Sequence, residues 1–166
     1  DMDMVCLCNP NNPTGQLIDR EVLEQVADYC QKTDTCLLLD ECFHDFLEEG
    51  SVHTLLPQVK ENPKLFVLRA FTKMYGMAGL RLGYGICSDT ELIRRMEQVT
   101  QPWNVSVPAQ AAGIAAAREQ EFVAVSRQMI TEQKKLLLAG LEAAGAKVYG
   151  SAANYIFFRA APGFDT

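Results

Sequence analysis

Three short, mainly apolar segments in the first half of the chain each run directly towards a group of polar residues. The segments, with the polar residues that follow them, are 4–8 with Asn12, 35–39 with Asp40, and 65–69 with Thr72 and Lys73. A helix is predicted between the first two segments, because Asp19 can cap a helix that begins at Arg20 and carries an apolar stripe. Apolar strands that alternate with helices are typical of a sheet buried on both faces. The chain is therefore predicted to be an α/β protein with a mostly parallel sheet flanked by helices.

The second half of the chain continues with further helices and strands. Ser88, with Glu91 three residues later, matches a capping box that would open a helix over 92–98. The other elements predicted here are a strand at 81–87, helices at 109–117 and 121–144, and strands at 148–149 and 155–159. The long helix and the closing strands are expected to begin a smaller, incomplete α+β domain, which divides the chain into 1–118 and 119–166.

Composition argues against several functional classes. The 166 residues include 15 Lys and Arg against 21 Asp and Glu, and the net charge of −6 comes without a basic cluster, so no nucleic-acid partner is expected. The apolar runs are too short to span a membrane. The 6 cysteines are expected to be mainly buried free thiols in a reducing cytoplasm. Cys6 and Cys8 without a second pair are weak evidence for metal, and no metal site is predicted.

Charged residues at the strand ends suggest a particular chemistry. Lys73 lies among apolar neighbours, and a partly desolvated amine is the nucleophile of Schiff-base chemistry. Asp40, at the end of a buried strand, needs either a cationic partner such as a protonated pyridine nitrogen or a turn to cap. The Arg81 guanidinium is a preferred fork for phosphate, and Thr72 can add a hydroxyl. The alternative for each is structural: a surface lysine beside a turn, and an arginine paired with a surface carboxylate.

Three motifs occur in a fixed order along the chain. They are Asn-Pro-Asn-Asn-Pro-Thr-Gly at 9–15, Asp-Glu-Cys-Phe at 40–43, and Thr-Lys at 72–73 followed by Gly-Leu-Arg-Leu-Gly at 79–83. Their order and spacing resemble the signatures of fold-type I pyridoxal-phosphate enzymes, specifically the class I/II aminotransferases. Within that family, segments 7–12, 101–105 and 153–155 are most similar to threonine-phosphate decarboxylases of cobalamin biosynthesis, with histidinol-phosphate aminotransferases as their neighbours.

The resemblance implies that pyridoxal 5′-phosphate is the cofactor and gives each matching residue a role. Lys73 would form a Schiff base with the cofactor aldehyde and then move protons, which makes it the catalytic residue. Asp40 would pair with the protonated ring nitrogen. Asn12 would donate to the phenolic oxygen of the cofactor, and Thr72 and Arg81 would hold its phosphate.

The chain departs from the family pattern at two positions. Phe43 stands where many aminotransferases have a tyrosine that reaches the phenolic oxygen, and the decarboxylases look similar to this chain here. Ala70 stands where several relatives have a hydroxyl residue that touches the phosphate. Asn104 and Asn154 are possible contacts near the active site by resemblance, while Trp103 belongs either to such a loop or to a buried helix anchor.

The resemblance implies an enzyme that acts on a phosphorylated amino acid, either a lyase or a transferase. Decarboxylation of L-threonine O-3-phosphate is favoured over amino transfer by a histidinol-phosphate or other class I/II aminotransferase, and an effector-binding domain of a regulator is a further alternative. A cytoplasmic homodimer is expected for the full-length form. The family fold also includes an earlier glycine-rich turn and a later substrate-binding arginine, so this chain is expected to be a fragment that is inactive alone.

Overall fold

Four strands form the main sheet of this computed structural model, which describes residues 2–163 and, at positions 50 and 51, the backbone alone. In chain order the strands are β1 (Met4–Cys8), β2 (Cys36–Asp40), β3 (Leu65–Ala70) and β4 (Gly83–Ile86). They neighbour one another in the same order, with β1, β2 and β3 parallel and β4 antiparallel to β3. The predicted α/β fold with a mostly parallel sheet is confirmed, and β4 is shorter than the strand predicted at 81–87.

Helices connect the strands and continue after them. They are α1 (Arg20–Lys32), α2 (Gly50–His53), α3 (Thr90–Val99), α4 (Val107–Ala116) and α5 (Gln120–Ala143), with 3₁₀ turns at His44–Phe46, Leu56–Lys60 and Ala78–Leu80. Two short strands, β5 (Lys147–Val148) and β6 (Phe158–Arg159), pair antiparallel in a separate sheet. Within residues 2–163, no helix combines the length and the apolar character needed to cross a bilayer.

The two predicted helix caps had different outcomes. Asp19 caps α1 as predicted, through its carboxylate. At α3 the cap is Asp89, whose carboxylate accepts from the amides of Glu91 and Leu92, both at 3.0 Å. The predicted capping box at Ser88 was wrong by one residue, because an aspartate cap also places negative charge at the helix N-terminus. In the described part of the chain, the Ser88 hydroxyl is buried without a hydrogen-bond partner.

The end of the chain forms tertiary contacts in place of most of the strand predicted at 155–159. The amide of Ala152 donates to the carbonyl of Gly15 at 2.7 Å. Gly15 has a φ of +68°, and a Cβ there would lie 3.0 Å from the Ser151 hydroxyl, so the close approach requires glycine. The final segment thus lies against the asparagine-rich loop, and only the two residues of β6 pair as a strand.

One face of the main sheet packs against α1 and forms the core. The fully buried side chains there alternate along β2 and β3 and meet the apolar stripe of α1; they are Leu23, Ala27, Leu37, Leu39, Leu65 and Val67. The opposite face borders a cavity of about 610 Å³, lined by Cys36 and Leu38 of β2 together with residues of α3. The expectation that the cysteines are mainly buried was wrong: all are free, but Cys30 alone is buried. The alternation of side chains along a strand puts Cys36 on the cavity face.

A buried ion pair fixes the segment that follows β2. Glu41 is 1% exposed, and its Oε2 accepts from Nε and Nη2 of Arg69 at 2.8 and 2.6 Å and from the hydroxyl of Thr54 at 2.8 Å. Arg69 also reaches the carboxylate of Asp45 at 3.3 Å. The carbonyl of Asp45 in turn accepts two hydrogen bonds from Arg127 of α5, at 3.0 and 2.9 Å. The network therefore joins the ends of β2 and β3 to α5.

The charge balance of this pair depends on pH. Burial raises the pKa of the Glu41 carboxyl, and the charge and hydrogen bonds of the Arg69 guanidinium oppose that rise. Because the pKa of Glu41 is higher in the folded than in the unfolded chain, its contribution to stability falls as pH rises through the interval between the two values. Arg69 limits that loss.

The variant Arg69→Leu is expected to lower the free energy of unfolding by about 3–5 kcal/mol at neutral pH, because the Glu41 carboxylate is left buried without its cation. The loss should be smaller in acid, where Glu41 is protonated in the folded protein. Urea unfolding at acidic and mildly alkaline pH measures the difference. Arg94→Leu is the control, since the Arg94–Glu91 pair is exposed and its removal should change stability little. Equal losses for Arg69→Leu at both pH values would contradict the expectation.

Candidate functional site

Three of the predicted residues lie at the carboxyl ends of the parallel strands. Asp40 is the last residue of β2, and Asn12 and Lys73 come shortly after β1 and β3. Cys8 of β1 stands opposite Asp40 in the sheet register, and the amide of Asn9 donates to the Asp40 carbonyl at 2.9 Å. Ligands of open α/β sheets bind outside the carboxyl ends of the strands. This edge of the sheet is therefore the candidate functional site.

The loop that carries Asn12 is fixed by the side chain of Asn9, which is fully buried. Its Oδ1 accepts from the amide of Ile18 at 2.9 Å, and its Nδ2 donates to the carbonyl of His53 at 3.1 Å. A buried amide satisfied on both sides holds its backbone in one position. Asn12 itself is exposed, at the surface of this fixed loop.

Two thiols lie between the predicted site residues. The Cys8 thiol donates to the carbonyl of Pro10 at 3.2 Å. Burial and the nearby Asp40 charge raise its pKa, and the backbone of Asn12 opposes the rise. The amide of Cys42 donates to Oδ1 of Asp40 at 2.9 Å. Burial, followed by the hydrogen bond to Asp40, raises the pKa of the Cys42 thiol to about 12, while the charge of Lys73 opposes the rise. These contacts place Asn12, Asp40 and Lys73 in one cluster.

Aromatic rings border the same cluster. Nζ of Lys73 lies over the ring of Phe43, 5.3 Å from its centroid. Tyr155 meets the Phe43 ring edge to face, with 5.0 Å between centroids and 85° between planes, and its hydroxyl donates to the carbonyl of Asn11 at 2.7 Å. Burial raises the pKa of Tyr155 to about 12, so the hydroxyl keeps its proton at neutral pH. The sequence did not indicate Tyr155 as a site residue; its only signal was a place in the motif at 153–155.

The expectation that apolar neighbours enclose the Lys73 amine was wrong. Lys73 is exposed. The ring of Phe71 packs on Tyr75 at 5.3 Å, and Tyr75 stacks on Phe122 of α5 at 6.1 Å. Of these neighbours in sequence, Tyr75 contacts α5 and Phe71 packs on Tyr75, whereas the aromatic contact of Lys73 is made by Phe43.

The loop between β3 and β4 brings Thr72 and Arg81 together. The amide of Phe71 donates to the carbonyl of Leu82 at 3.1 Å, and Thr72 and Arg81 are the next residues on the two sides of the loop. Arg81 has a φ of +57°, which explains why the strand predicted from residue 81 does not begin there. Its exposed guanidinium donates to the carbonyl of Ala78 at 2.8 Å. This loop thus carries a hydroxyl next to Lys73 in the chain and an exposed guanidinium at its other end.

The remaining candidates lie further out. Asn104 is exposed in the loop before α4, and Trp103 is 94% exposed with a φ of +62°, so the alternative of a buried anchor was wrong. Asn154 is exposed and lines a cavity of about 190 Å³ with Lys134 and Leu137 of α5. Asn154 is nevertheless adjacent in sequence to the tyrosine that contacts Phe43.

The groups at this edge suit a particular ligand. An amine, a carboxylate, an amide, a hydroxyl and a guanidinium match an aldehyde, a protonated ring nitrogen, a phenolic oxygen and a phosphate, the functional groups of pyridoxal 5′-phosphate. They belong to Lys73, Asp40, Asn12, Thr72 and Arg81. Among residues 2–163 no group of three or more His, Cys, Asp or Glu side chains is arranged to hold a metal ion.

Comparison with known proteins gives consistent results. The sequence profile of the family described as aminotransferase class I and II matches residues 1–163. The chain is 36% identical over 160 residues to threonine-phosphate decarboxylase of Salmonella typhimurium, covering 96% of this chain and 43% of that protein. It is 37% identical over 153 residues to histidinol-phosphate aminotransferase of Brevibacillus brevis, covering 92% of this chain and 42% of that protein.

The structure is similar to that of histidinol-phosphate aminotransferase from Clostridium acetobutylicum. The TM-score is 0.90 at 29% identity, over 96% of this chain and 48% of the other. The chain therefore spans less than half the length of these relatives.

The variant Asp40→Asn is expected to speed the reaction of Cys42 with iodoacetamide, because the charge and hydrogen bond of Asp40 both raise the pKa of this thiol. Each unit by which a thiol pKa falls gives about ten times more thiolate below that pKa. Mass spectrometry of the labelled peptides measures the rate. Exposed Cys6 is the internal control, with an unchanged rate expected. If Cys42 reacts no faster in the variant, its thiol does not bond to Asp40.

Proposed function

The chain belongs to the aminotransferase class I and II family, whose enzymes depend on pyridoxal 5′-phosphate, and we propose that the whole protein uses this cofactor to act on a phosphorylated amino acid. The preferred reaction is decarboxylation of L-threonine O-3-phosphate, which makes the protein a lyase of cobalamin biosynthesis. The observation that carries this preference is Phe43, whose ring lies under Nζ of Lys73 and offers no hydroxyl where many aminotransferases have a tyrosine.

The proposed roles follow from the chemistry of each group. When bound, the cofactor supplies an electron sink for charge that develops at the substrate α-carbon. Lys73 would hold the cofactor through its aldehyde carbon, with loss of water, and would move a proton at the substrate α-carbon. Asp40 would keep a proton on the ring nitrogen, and Asn12 would donate to the phenolic oxygen. Thr72 and Arg81 would bind the phosphate.

Amino transfer with histidinol phosphate is the second candidate. Its support is the 0.90 TM-score against a histidinol-phosphate aminotransferase. Decarboxylation requires the α-carboxylate to stand perpendicular to the cofactor ring, and transamination requires the α-hydrogen there. The two reactions therefore differ in how substrate is oriented, and we propose Asn104 and Asn154 as contacts that take part in that orientation.

The wider organisation is also proposed. Residues 1–118 are proposed as part of the cofactor-binding domain and 119–166 as the beginning of the smaller domain, although residues 1 and 164–166 lie outside the described part of the chain. The start of α5 at Gln120 supports this division. The whole protein is a homodimer, and its small-molecule substrate is an amino-acid phosphate. A cytoplasmic location is supported by the 6 free cysteines, since reducing compartments keep thiols unpaired.

We expect the whole protein, loaded with pyridoxal 5′-phosphate and reduced with borohydride, to carry the pyridoxyl group on Lys73. Peptide mapping by mass spectrometry locates the group. Lys73→Arg should abolish the adduct, because a guanidinium does not form a stable Schiff base with the aldehyde. Lys60→Arg, a change at an exposed lysine, should leave the adduct intact. An adduct on another lysine, or none, ends the proposal.

Two assays on the whole protein separate the candidate reactions. With threonine phosphate we expect release of CO₂, and with histidinol phosphate and 2-oxoglutarate we expect no glutamate. Glutamate without CO₂ would replace the decarboxylase assignment with an aminotransferase and leave the cofactor site intact. Neither product, together with an adduct on Lys73, would instead favour an effector-binding domain of a regulator.

A further inference from the structure

The contacts around Phe43 form a continuous series that ends at the cofactor-binding lysine. Tyr155 meets the Phe43 ring at 5.0 Å and 85°, and Nζ of Lys73 lies 5.3 Å from the centroid of the same ring. Phe46 is also near, at 6.2 Å and 33°. Phe43 thus forms a T-shaped pair with Tyr155, and an ammonium group lies over its ring.

The orientation of the Phe43 ring decides whether its face is offered to Lys73. The face of a phenyl ring carries negative potential and attracts a cation within about 6 Å, whereas the edge carries positive potential and does not. Rotation of Phe43 about its Cβ–Cγ bond would therefore remove the favourable contact with Nζ. An edge-to-face neighbour opposes that rotation, because turning the ring breaks the T-shaped contact.

Tyr155 has a second contact at the same site through its hydroxyl. The hydroxyl donates to the carbonyl of Asn11 at 2.7 Å, one residue before Asn12. The same turn is closed by the amide of Gly15, which donates to the Asn11 carbonyl at 2.6 Å, and by the Thr14 hydroxyl, which donates to Oδ1 of Asn11 at 2.8 Å. One side chain from the end of the chain therefore reaches both Phe43 and the loop that carries Asn12.

We propose that Tyr155 is a positioning residue for the Lys73 amine. Its T-shaped contact sets the plane of the Phe43 ring, and the face of Phe43 holds the ammonium of Lys73 when the amine is not bound to the cofactor. The Tyr155 hydroxyl anchors the backbone beside Asn12. The inference rests on the proposed function only in taking Lys73 as the lysine that binds the cofactor. The contacts of Tyr155 are with Phe43 and Asn11, and it acts on the Lys73 amine through these neighbours.

The C-terminal segment contains a matched control for this arrangement. Tyr149 pairs with Phe157 at 5.6 Å and 40°, and Nζ of Lys147 lies 5.2 Å from the centroid of the Tyr149 ring. This lysine–aromatic contact is equivalent in chemistry but belongs to a different part of the fold. A substitution at Tyr149 therefore tests the loss of an aromatic side chain without altering the surroundings of Lys73.

The test is trace acetylation of the lysines in the whole protein after the cofactor has been removed, with each lysine quantified by mass spectrometry. Phe43→Leu should raise the rate at Lys73 about two- to fivefold, because the ammonium loses its cation–π contact. Tyr155→Leu should raise the rate in the same direction. Tyr155→Phe keeps the ring edge and should restore the wild-type rate. Tyr149→Leu should leave Lys73 unchanged and speed acetylation of Lys147.

The double variant Phe43→Leu/Tyr155→Leu decides whether Tyr155 acts through Phe43. If it does, the double variant acetylates no faster at Lys73 than Phe43→Leu alone, since coupled residues give non-additive effects. A wild-type rate in Tyr155→Leu, additive rates in the double variant, or an equal rise in Tyr155→Phe would each overturn the inference. Circular dichroism verifies that each variant is folded. If Tyr155→Leu unfolds, Tyr155→Met replaces it, and the same rise in acetylation of Lys73 is expected.

Borohydride trapping on the wild-type protein is scored separately. An adduct on Lys73 with unchanged acetylation in the Tyr155 variants would overturn the positioning role and leave the proposed function standing. Absence of the adduct with the expected acetylation pattern would overturn the proposed function and leave the contact between Tyr155, Phe43 and Lys73 supported.

Discussion

The arrangement at the sheet edge depends on the buried ion pair between Glu41 and Arg69. Glu41 directly follows Asp40 in the chain, and Arg69 lies in β3 shortly before Lys73. A buried carboxylate is tolerated only with a cation and hydrogen bonds around it, so the ends of β2 and β3 cannot separate without leaving a charge unpaired. The relative position of Asp40 and Lys73 is therefore set by two residues that have no proposed role in binding the cofactor.

The adjacent carboxylates of Asp40 and Glu41 show how neighbouring residues of one chemical type acquire different tasks. Glu41 turns into the protein, where Thr54 and Arg69 supply its hydrogen bonds. Asp40 lies beside Cys42, whose amide donates to it at 2.9 Å and whose thiol pKa it raises. The sequence identified Asp40 through its resemblance to a motif but gave Glu41 no function, because the partner that neutralises Glu41 comes from another strand.

Features that arise from local patterns could be predicted from the sequence. The strands β1, β2 and β3 and the helix capped by Asp19 follow from apolar runs and a capping residue. The strands lie where predicted to within a residue at each end, and the helix begins at Arg20 as predicted. Features that leave no such pattern in the sequence could not be predicted. The start of β4 depends on the left-handed backbone of Arg81, and the exposure of Trp103 depends on its loop standing clear of the core. The same holds for the candidate site. The residues at the three strand ends could be predicted from the sequence, whereas Tyr155, which reaches the site from the C-terminal segment, could not.

The end of the chain links the sheet edge to the long helix through a short series of hydrogen bonds. Nζ of Lys134 in α5 donates to the carbonyls of Ser151 and Ala153, both at 3.0 Å. Two residues further on, Tyr155 donates to Asn11 in the loop of Asn12. A displacement of α5 must therefore move this segment with it or break these bonds, and burial favours keeping them because it makes an unpaired polar group costly. The position of the long helix and the shape of the candidate site are for that reason not independent.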